Sequence, residues 1–86
     1  MAQRMEGSHK GSNAKSVSKT LEILSTFNEL APEQRTSDIA NKLHMNISTV
    51  SRHLNTMLDW GFLERDDSTG YYSLGLEIVA LAGAAL

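Results

Sequence analysis

Three short segments of the chain repeat apolar residues with the period of an α-helix, and the first and third are followed by a residue that favours the end of a helix. The first segment has apolar side chains at steps of four and three, at Val17, Leu21, Leu24 and Phe27. This spacing places them on one face of a helix. Pro32 lies just beyond, and the residue before a proline disfavours helical backbone angles. The pattern therefore predicts helix 1 over residues 17–30.

Two further helices follow, joined by a short connection. Residues 36–38, with the sequence TSD, provide capping oxygens and a negative charge for a first helical turn, which predicts helix 2 over residues 37–44. Asn46 is a favourable N-cap, and Gly61 can adopt the left-handed conformation that ends a helix. Between these two residues we expect helix 3, over residues 47–60.

The segment after helix 3 has the features of a β-hairpin. Residues 62–65 and 71–74 are short strand-like runs, and the turn-forming sequence DDSTG separates them. We expect Trp60 to pack this hairpin onto helix 3. Residues 76–86 are apolar, with Glu77 as their only charge, and predict a fourth helix. The expected fold is mainly α with a small β-hairpin: a winged helix-turn-helix with a three-helix core, a wing and a C-terminal linker helix.

The length of 86 residues suffices for one small domain. Residues 1–14 have no apolar period and are rich in Gly and Ser, so we expect a disordered leader there. Residues 15–75 form the expected winged helix-turn-helix domain, and residues 76–86 the start of a linker or dimerisation helix. Because the chain ends inside this apolar helix, we expect a further domain to lie outside it.

The sequence argues against several classes of function. It has no cysteine, and therefore no disulfide, thiolate metal site or thiol nucleophile. It also lacks a glycine-rich phosphate loop and a nucleophile elbow, so we expect neither an enzyme nor a cofactor. His44 and His53 have no carboxylate at a metal-like spacing, and we expect no metal site. Without a long apolar run or a signal peptide, a cytoplasmic location is expected.

The net charge of −2 is unevenly distributed. Residues 35–58 carry Arg35, Lys42 and Arg52 against Asp38, a local charge of +2. Residues 59–86 carry a local charge of −4, with Arg65 as their only cation. The electrostatic field at a binding surface depends on the charges near it more than on the net charge of the whole chain. The negative net charge therefore does not exclude a nucleic-acid partner.

The outer face of helix 3 favours contact with DNA. Rotated by about 100° per residue, the apolar residues of this helix fall on one side. The opposite side carries short hydroxyls, an amide and one arginine: Ser48, Thr49, Arg52, Asn55 and Thr56. Short side chains that donate and accept hydrogen bonds suit a helix pressed against DNA, whereas glutamates there would repel phosphate. A plain polar surface is the alternative interpretation.

Several short motifs follow one another along the chain. They are SV at residues 16–17, LEIL at 21–24, DIA at 38–40, STV at 48–50, GFLER at 61–65 and YSLG at 72–75, with Arg52, Leu54 and Gly70. Taken together, they resemble the N-terminal DNA-binding domain of IclR-family bacterial transcriptional regulators over residues 16–86. The resemblance implies a homodimer that reads a palindromic operator in double-stranded DNA, with helix 3 in the major groove. It also implies a small-molecule effector, bound by a C-terminal domain that this chain lacks.

The resemblance also implies which residues contact DNA. From helices 2 and 3 they are Thr36, Ser37, Asn46, Ser48, Thr49, Ser51 and Arg52, to which the outer face of helix 3 adds Asn55. The wing would contribute Arg65 and Tyr71, although Asp66 and Asp67 make it acidic.

The last helix is expected to mediate dimerisation. It is apolar on every side, and a helix of this kind must be buried. One face can cover helix 1, and the other has nothing to cover it within the chain. A second copy is the expected partner, contacted through Leu76, Val79, Leu81 and Leu86.

A winged-helix protein-interaction module that does not bind DNA is the alternative function. The net charge of −2 and the acidic wing favour it. Such a module should expose apolar anchors on the outer face of helix 3, and Ile47 alone qualifies. The sequence therefore favours DNA binding.

Overall fold

The computed structural model describes residues 12–86 and confirms the predicted mainly helical architecture with a hairpin wing. Its elements, in chain order, are α1 (Ser12–Leu24), α2 (Thr36–Leu43), α3 (Ile47–Asp59), β1 (Leu63–Arg65), β2 (Tyr72–Leu74) and α4 (Leu76–Ala85). The predicted helices 2 and 3 agree with α2 and α3 to within one residue at each end. Residues 1–11 of the expected leader lie outside the described part of the chain.

The first helix is displaced towards the N-terminus relative to the prediction. Helix α1 begins at Ser12, so residues 12–14 are helical, and it ends at Leu24 instead of residue 30. Just after it, Ser25 Oγ and Thr26 Oγ1 donate hydrogen bonds to backbone carbonyls three residues back, at 2.9 and 2.6 Å. Such side-chain bonds compete with the next helical hydrogen bonds. The helix therefore ends well before Pro32.

After α1 the chain forms a turn that is stabilised by the side chain of Asn28. The Oδ1 atom of Asn28 accepts hydrogen bonds from the backbone N–H of Leu30 at 2.8 Å and of Ala31 at 3.0 Å. This local arrangement is favoured by Asn and is incompatible with a continuing helix. As a result, Leu30 is exposed instead of extending the apolar face of the helix.

The core lies where the first three helices meet the hairpin. Its buried side chains come from all of these elements: Ile23, Phe27, Ile39, Ala40, Val50, Leu54, Met57, Leu63 and Tyr72. Complete burial of a large apolar side chain stabilises the folded state by about 1.5–3 kcal/mol. The inward face predicted for α3 is confirmed at Val50, Leu54 and Met57.

A buried amide joins the wing to the helices. Gln34 exchanges two backbone hydrogen bonds with Tyr72, at 3.0 and 2.8 Å, and so adds a bridge to the edge of the hairpin. Its side chain is 2% exposed. The Nε2 atom of Gln34 donates to Thr26 Oγ1 at 2.9 Å, and its Oε1 atom accepts from Lys42 Nζ at 2.6 Å. Gln34 therefore links the end of α1, the wing and α2.

The hairpin leads directly into α4. Gly61, with φ of +79°, provides the predicted left-handed residue after α3. Its carbonyl oxygen accepts from the N–H of Glu77 at 3.1 Å, and a Cβ atom at Gly75 would collide with the same carbonyl. The main packing partner of α4 is β1 rather than α1. No residue of α4 is buried.

The prediction for Trp60 is wrong. Its side chain is 71% exposed and does not pack the hairpin onto α3. The side chain instead borders an apolar groove of about 200 Å³ between α1 and the C-terminal end of α3. Among the helices of residues 12–86, none is both long enough and apolar enough to cross a membrane.

Candidate DNA-binding surface

The outer face of α3 is open to solvent in the middle and shielded at its edges. Ser48, Arg52 and Asn55 are exposed, whereas Thr49 and Ser51 are half-buried. The core-facing residues of α3 hold the helix in place from the opposite side. The arrangement presents a narrow strip of hydrogen-bonding groups with one guanidinium near its centre.

The N-terminus of α3 is organised by Asn46. The Oδ1 atom of Asn46 accepts from the backbone N–H of Ser48 at 2.9 Å and from Ser48 Oγ at 2.6 Å. The amide oxygen is therefore engaged in capping, and the amide NH₂ is the part of Asn46 that can donate to a ligand. The proton of the Ser48 hydroxyl is also engaged, which leaves its oxygen as an acceptor.

Two of the predicted contacts lie at the start of α2. Ser37 is exposed and Thr36 is half-buried. The carboxylate of Asp38 accepts from the backbone N–H of Arg35 at 2.9 Å and so caps this end of the helix. The hydroxyls of Thr36 and Ser37 therefore lie in the first turn of a helix whose N-terminus is held by this capping hydrogen bond.

Arg35 is a candidate that the sequence analysis missed. Its guanidinium lies 4.5 Å from the centroid of the Tyr71 ring, and its Nε atom donates to the carbonyl of Thr69 at 3.4 Å. A cation above an aromatic face is attracted by the ring electrons. These contacts place an exposed cation between the start of α2 and the wing. Arg35 is separated from Thr69 and Tyr71 by more than thirty residues, so these contacts cannot be predicted from the sequence. The only sequence feature that pointed to Arg35 was its position just before the first turn of α2.

The charges of the wing are largely satisfied within the wing itself. Arg65 forms an ion pair with Asp67, with 2.7 Å between Nη1 and Oδ1. Asp66 accepts from both the N–H and the hydroxyl of Ser68, and these hydrogen bonds lower the pKa of Asp66. The wing therefore presents a firmly ionised carboxylate beside an arginine that is already paired.

The two described histidines have different environments. His44 ends α2 in the left-handed conformation, with φ of +55°. The Nδ1 atom of His53 lies 2.7 Å from Thr20 Oγ1 and joins α3 to α1. Partial burial lowers the pKa of His53, and the positive charges of Arg52 and Lys19 lower it further. Within residues 12–86, no group of three or more His, Asp or Glu side chains is placed to hold a metal ion.

The residues expected to mediate dimerisation lie on α4 and at its C-terminal end. Leu76, Val79, Leu81 and Leu86 are all more than half exposed. A second open apolar surface is the groove beside Trp60, lined in part by Leu21, Leu24, Met57 and Phe62.

Residues 16–67 match the family model of the IclR helix-turn-helix domain. The chain belongs to the IclR family. The match begins within α1 and ends in the turn of the wing, so it includes the whole of α2 and α3. The chain is therefore an IclR helix-turn-helix domain, the DNA-binding domain of transcriptional regulators of this family, as its sequence motifs had indicated.

The chain is similar in sequence to a known transcriptional regulator and in structure to solved proteins that include an IclR-family regulator. The HTH-type transcriptional regulator XynR of Escherichia coli (strain K12) is 34% identical over 64 residues, which cover 74% of this chain and 25% of XynR. An IclR-family transcriptional regulator from Brucella abortus has a TM-score of 0.80 at 27% identity, over 98% of this chain and 32% of that chain. Pseudomonas aeruginosa HmgR has a TM-score of 0.75 at 36% identity, over 84% of this chain and 31% of HmgR.

The chain corresponds to only part of the length of each of these relatives. The chain matches 25% of the length of XynR and 31–32% of the chains in the two solved structures. The similarity to the Brucella abortus protein extends over nearly the whole chain, including the hairpin and α4. The winged helix-turn-helix fold predicted from the sequence is thus confirmed.

Proposed function

We propose that this IclR domain binds a palindromic operator in double-stranded DNA as a homodimer, with α3 of each copy in the major groove. The observation that carries the proposal is the outer face of α3. It is open, it bears Arg52 among short hydroxyl and amide side chains, and it contains no carboxylate between Ile47 and Leu58. A helix with this face can approach base edges without repelling the phosphates on either side.

The proposed contacts separate into those that read bases and those that hold the backbone. Arg52 reads a guanine through its two-pronged guanidinium, because this is the pairing that an arginine makes best in the major groove. Ser48 and Asn55 lie next to it and contact neighbouring base edges. The remaining residues of α2 and α3 bind phosphate oxygens and fix the register of the helix: Thr36, Ser37, Asn46, Thr49 and Ser51.

The wing contributes less to binding than a basic wing would. Arg65 must exchange Asp67 for a phosphate before it can hold DNA, and the ionised Asp66 opposes that phosphate. Arg35, stacked over Tyr71, is the stronger candidate for a backbone contact beside the wing. We therefore assign Tyr71 the role of positioning Arg35 as well as touching the backbone.

A second copy of the chain covers α4. The helix exposes apolar side chains all round, and a helix of this kind is stable in water only when another surface covers it. Two-fold association is the commonest way in which a protein covers such a surface. It also supplies two α3 helices about 34 Å apart, one turn of DNA, which a palindrome requires.

The whole regulator extends beyond this domain. Since the chain spans about a quarter of XynR, we assign the binding of a small-molecule effector to a part of the protein outside it. We also expect the regulator to act on DNA in the cytoplasm and to catalyse no reaction.

Selection from a random duplex pool, followed by fluorescence anisotropy at two salt concentrations, tests the proposal. The expected result is enrichment of a palindromic sequence that the chain binds more tightly than the unselected pool at both concentrations. A chain that enriches no sequence, or binds no duplex at low salt, contradicts the proposal. It would favour the protein-interaction module instead.

A further inference from the structure

We infer that a polar cleft between α1 and α3, next to Arg52, binds one phosphate of the operator backbone through Lys19 and His53. The inference rests on the proposed function, because the phosphate belongs to the DNA that α3 reads. It adds a contact from α1, a helix to which neither the sequence motifs nor the outer face of α3 assigned any part in binding.

The cleft has the size and lining of an anion site. It has a volume of about 170 Å³ and is lined by Ser16, Thr20, Arg52, His53 and Thr56. Each of these side chains carries a hydrogen-bonding group, and no carboxylate is among them. Arg52 belongs both to this lining and to the outer face of α3, so the cleft borders the surface proposed to enter the major groove. A phosphate beside the groove therefore lies within reach.

Two cations act on the cleft, one from each helix. Arg52 lines the cleft from α3, and Lys19 precedes the lining residue Thr20 on α1. Partial burial lowers the pKa of His53, and the charges of Arg52 and Lys19 lower it further. Within the described residues 12–86, neither cation forms an ion pair, and Arg65–Asp67 is the one ion pair found. Unpaired positive charges brought together from two helices repel each other, and a bound phosphate removes that repulsion.

The hydrogen bonds around His53 prepare its ring for the same ligand. Thr20 Oγ1 donates to the carbonyl of Ser16 at 3.1 Å and lies 2.7 Å from Nδ1 of His53. Nδ1 is thus engaged with Thr20, and Nε2 is the ring nitrogen left to donate to the phosphate when the ring is protonated. Arg52 and Lys19 are the charged groups acting on the ring, and both oppose its protonation until an anion arrives.

The salt dependence of binding tests the contribution of Lys19. Fluorescence anisotropy is measured with the 86-residue chain, the selected operator and a random duplex, between about 50 and 200 mM salt. Lys19→Gln should reduce the slope of log K against log salt by ~0.9, the value of one phosphate contact. It should weaken operator and random duplex by the same factor, because a phosphate contact carries no sequence information.

Lys42→Gln is the matched control. It removes the same charge from α2, where the ammonium is bonded to Gln34, and should leave the slope unchanged. A slope that Lys19→Gln does not alter, or that both substitutions alter equally, overturns the inference. A wild-type chain that binds no duplex overturns the proposed function itself, so the two failures can be told apart.

The pH dependence of binding tests His53 separately. A phosphate in the cleft raises the pKa of His53 above its lowered value in the free chain, so binding takes up a proton and the affinity falls as the pH rises through the range between these two pKa values. His53→Gln should remove this pH dependence while thermal melting shows a folded chain. Equal pH dependence in the wild type and in His53→Gln would exclude the ring from the site and overturn its part in the inference.

Discussion

The guanidinium of Arg65 lies 2.7 Å from the carboxylate of Asp67, so the only cation of the wing is paired within the wing. Both side chains are solvent-exposed, Asp67 almost completely. An exposed pair of this kind contributes only about 0–1 kcal/mol to folding. The pair therefore influences the availability of Arg65 for DNA more than it influences the stability of the domain.

Releasing Arg65 should strengthen DNA binding. Asp67→Asn removes the competing carboxylate, and we expect higher affinity for any duplex and a salt slope steeper by up to ~0.9. Fluorescence anisotropy at several salt concentrations measures both quantities. Glu29→Gln removes the same charge from the turn after α1 and should have a smaller effect. If the two variants behave alike, Arg65 does not reach the DNA backbone.

Arg52 should determine much of the sequence preference. Arg52→Ala is expected to weaken binding to the selected operator by about 1–3 kcal/mol, the value of a good pairing with guanine. The melting temperature should hardly change, because the side chain is exposed. Anisotropy with the operator and with the same duplex altered at single guanines identifies the base that is read. Unchanged operator affinity would remove Arg52 from the reading surface.

The exposed apolar surface of α4 should hold two copies together. Val79→Glu and Leu81→Glu each place a charge on this surface, on different sides of the helix, and we expect a dimer at micromolar concentration to become a monomer. Sedimentation equilibrium measures the change, and operator affinity should fall in parallel. Glu77→Gln, on the same helix, is the control for altered charge. A monomeric wild type that still binds the palindrome at full affinity would contradict this assignment.

The buried amide of Gln34 should be important for stability. Gln34→Leu removes the hydrogen bonds of the buried amide to Thr26 and Lys42, and each lost hydrogen bond costs about 0.5–1.5 kcal/mol. We expect a lower free energy of unfolding in urea, while α3 keeps its position. A variant as stable as the wild type would show that water replaces the amide without cost.

The sequence predicted the elements that depend on local patterns. The N-cap at Asn46, the left-handed residue at Gly61 and the inward face of α3 follow from residue type and spacing, and all three are present. Helix 1 was extended too far because the apolar period continues to Leu30. The spacing of apolar residues does not reveal the side-chain hydrogen bonds of Ser25 and Thr26, which end the helix before the apolar pattern stops.

Contacts between distant parts of the chain were beyond the sequence. The stacking of Arg35 on Tyr71 and the hydrogen bond between Thr20 and His53 each join residues more than thirty positions apart. Trp60 was misplaced for a related reason. The hairpin enters the core through Leu63 and Tyr72, so the tryptophan is not needed to cover it. The residues proposed to contact DNA stay predictions, since their role depends on a partner.

The most direct test of the central claim compares two duplexes. The selected palindrome and the same duplex with both half-sites scrambled are titrated with the 86-residue chain at a single, near-physiological salt concentration. We expect two chains to bind each palindrome, with an affinity at least about a thousandfold higher than for the scrambled duplex, the lower end of the range for specific DNA-binding proteins. Equal affinity for the two duplexes would contradict the claim that this domain reads a sequence in DNA.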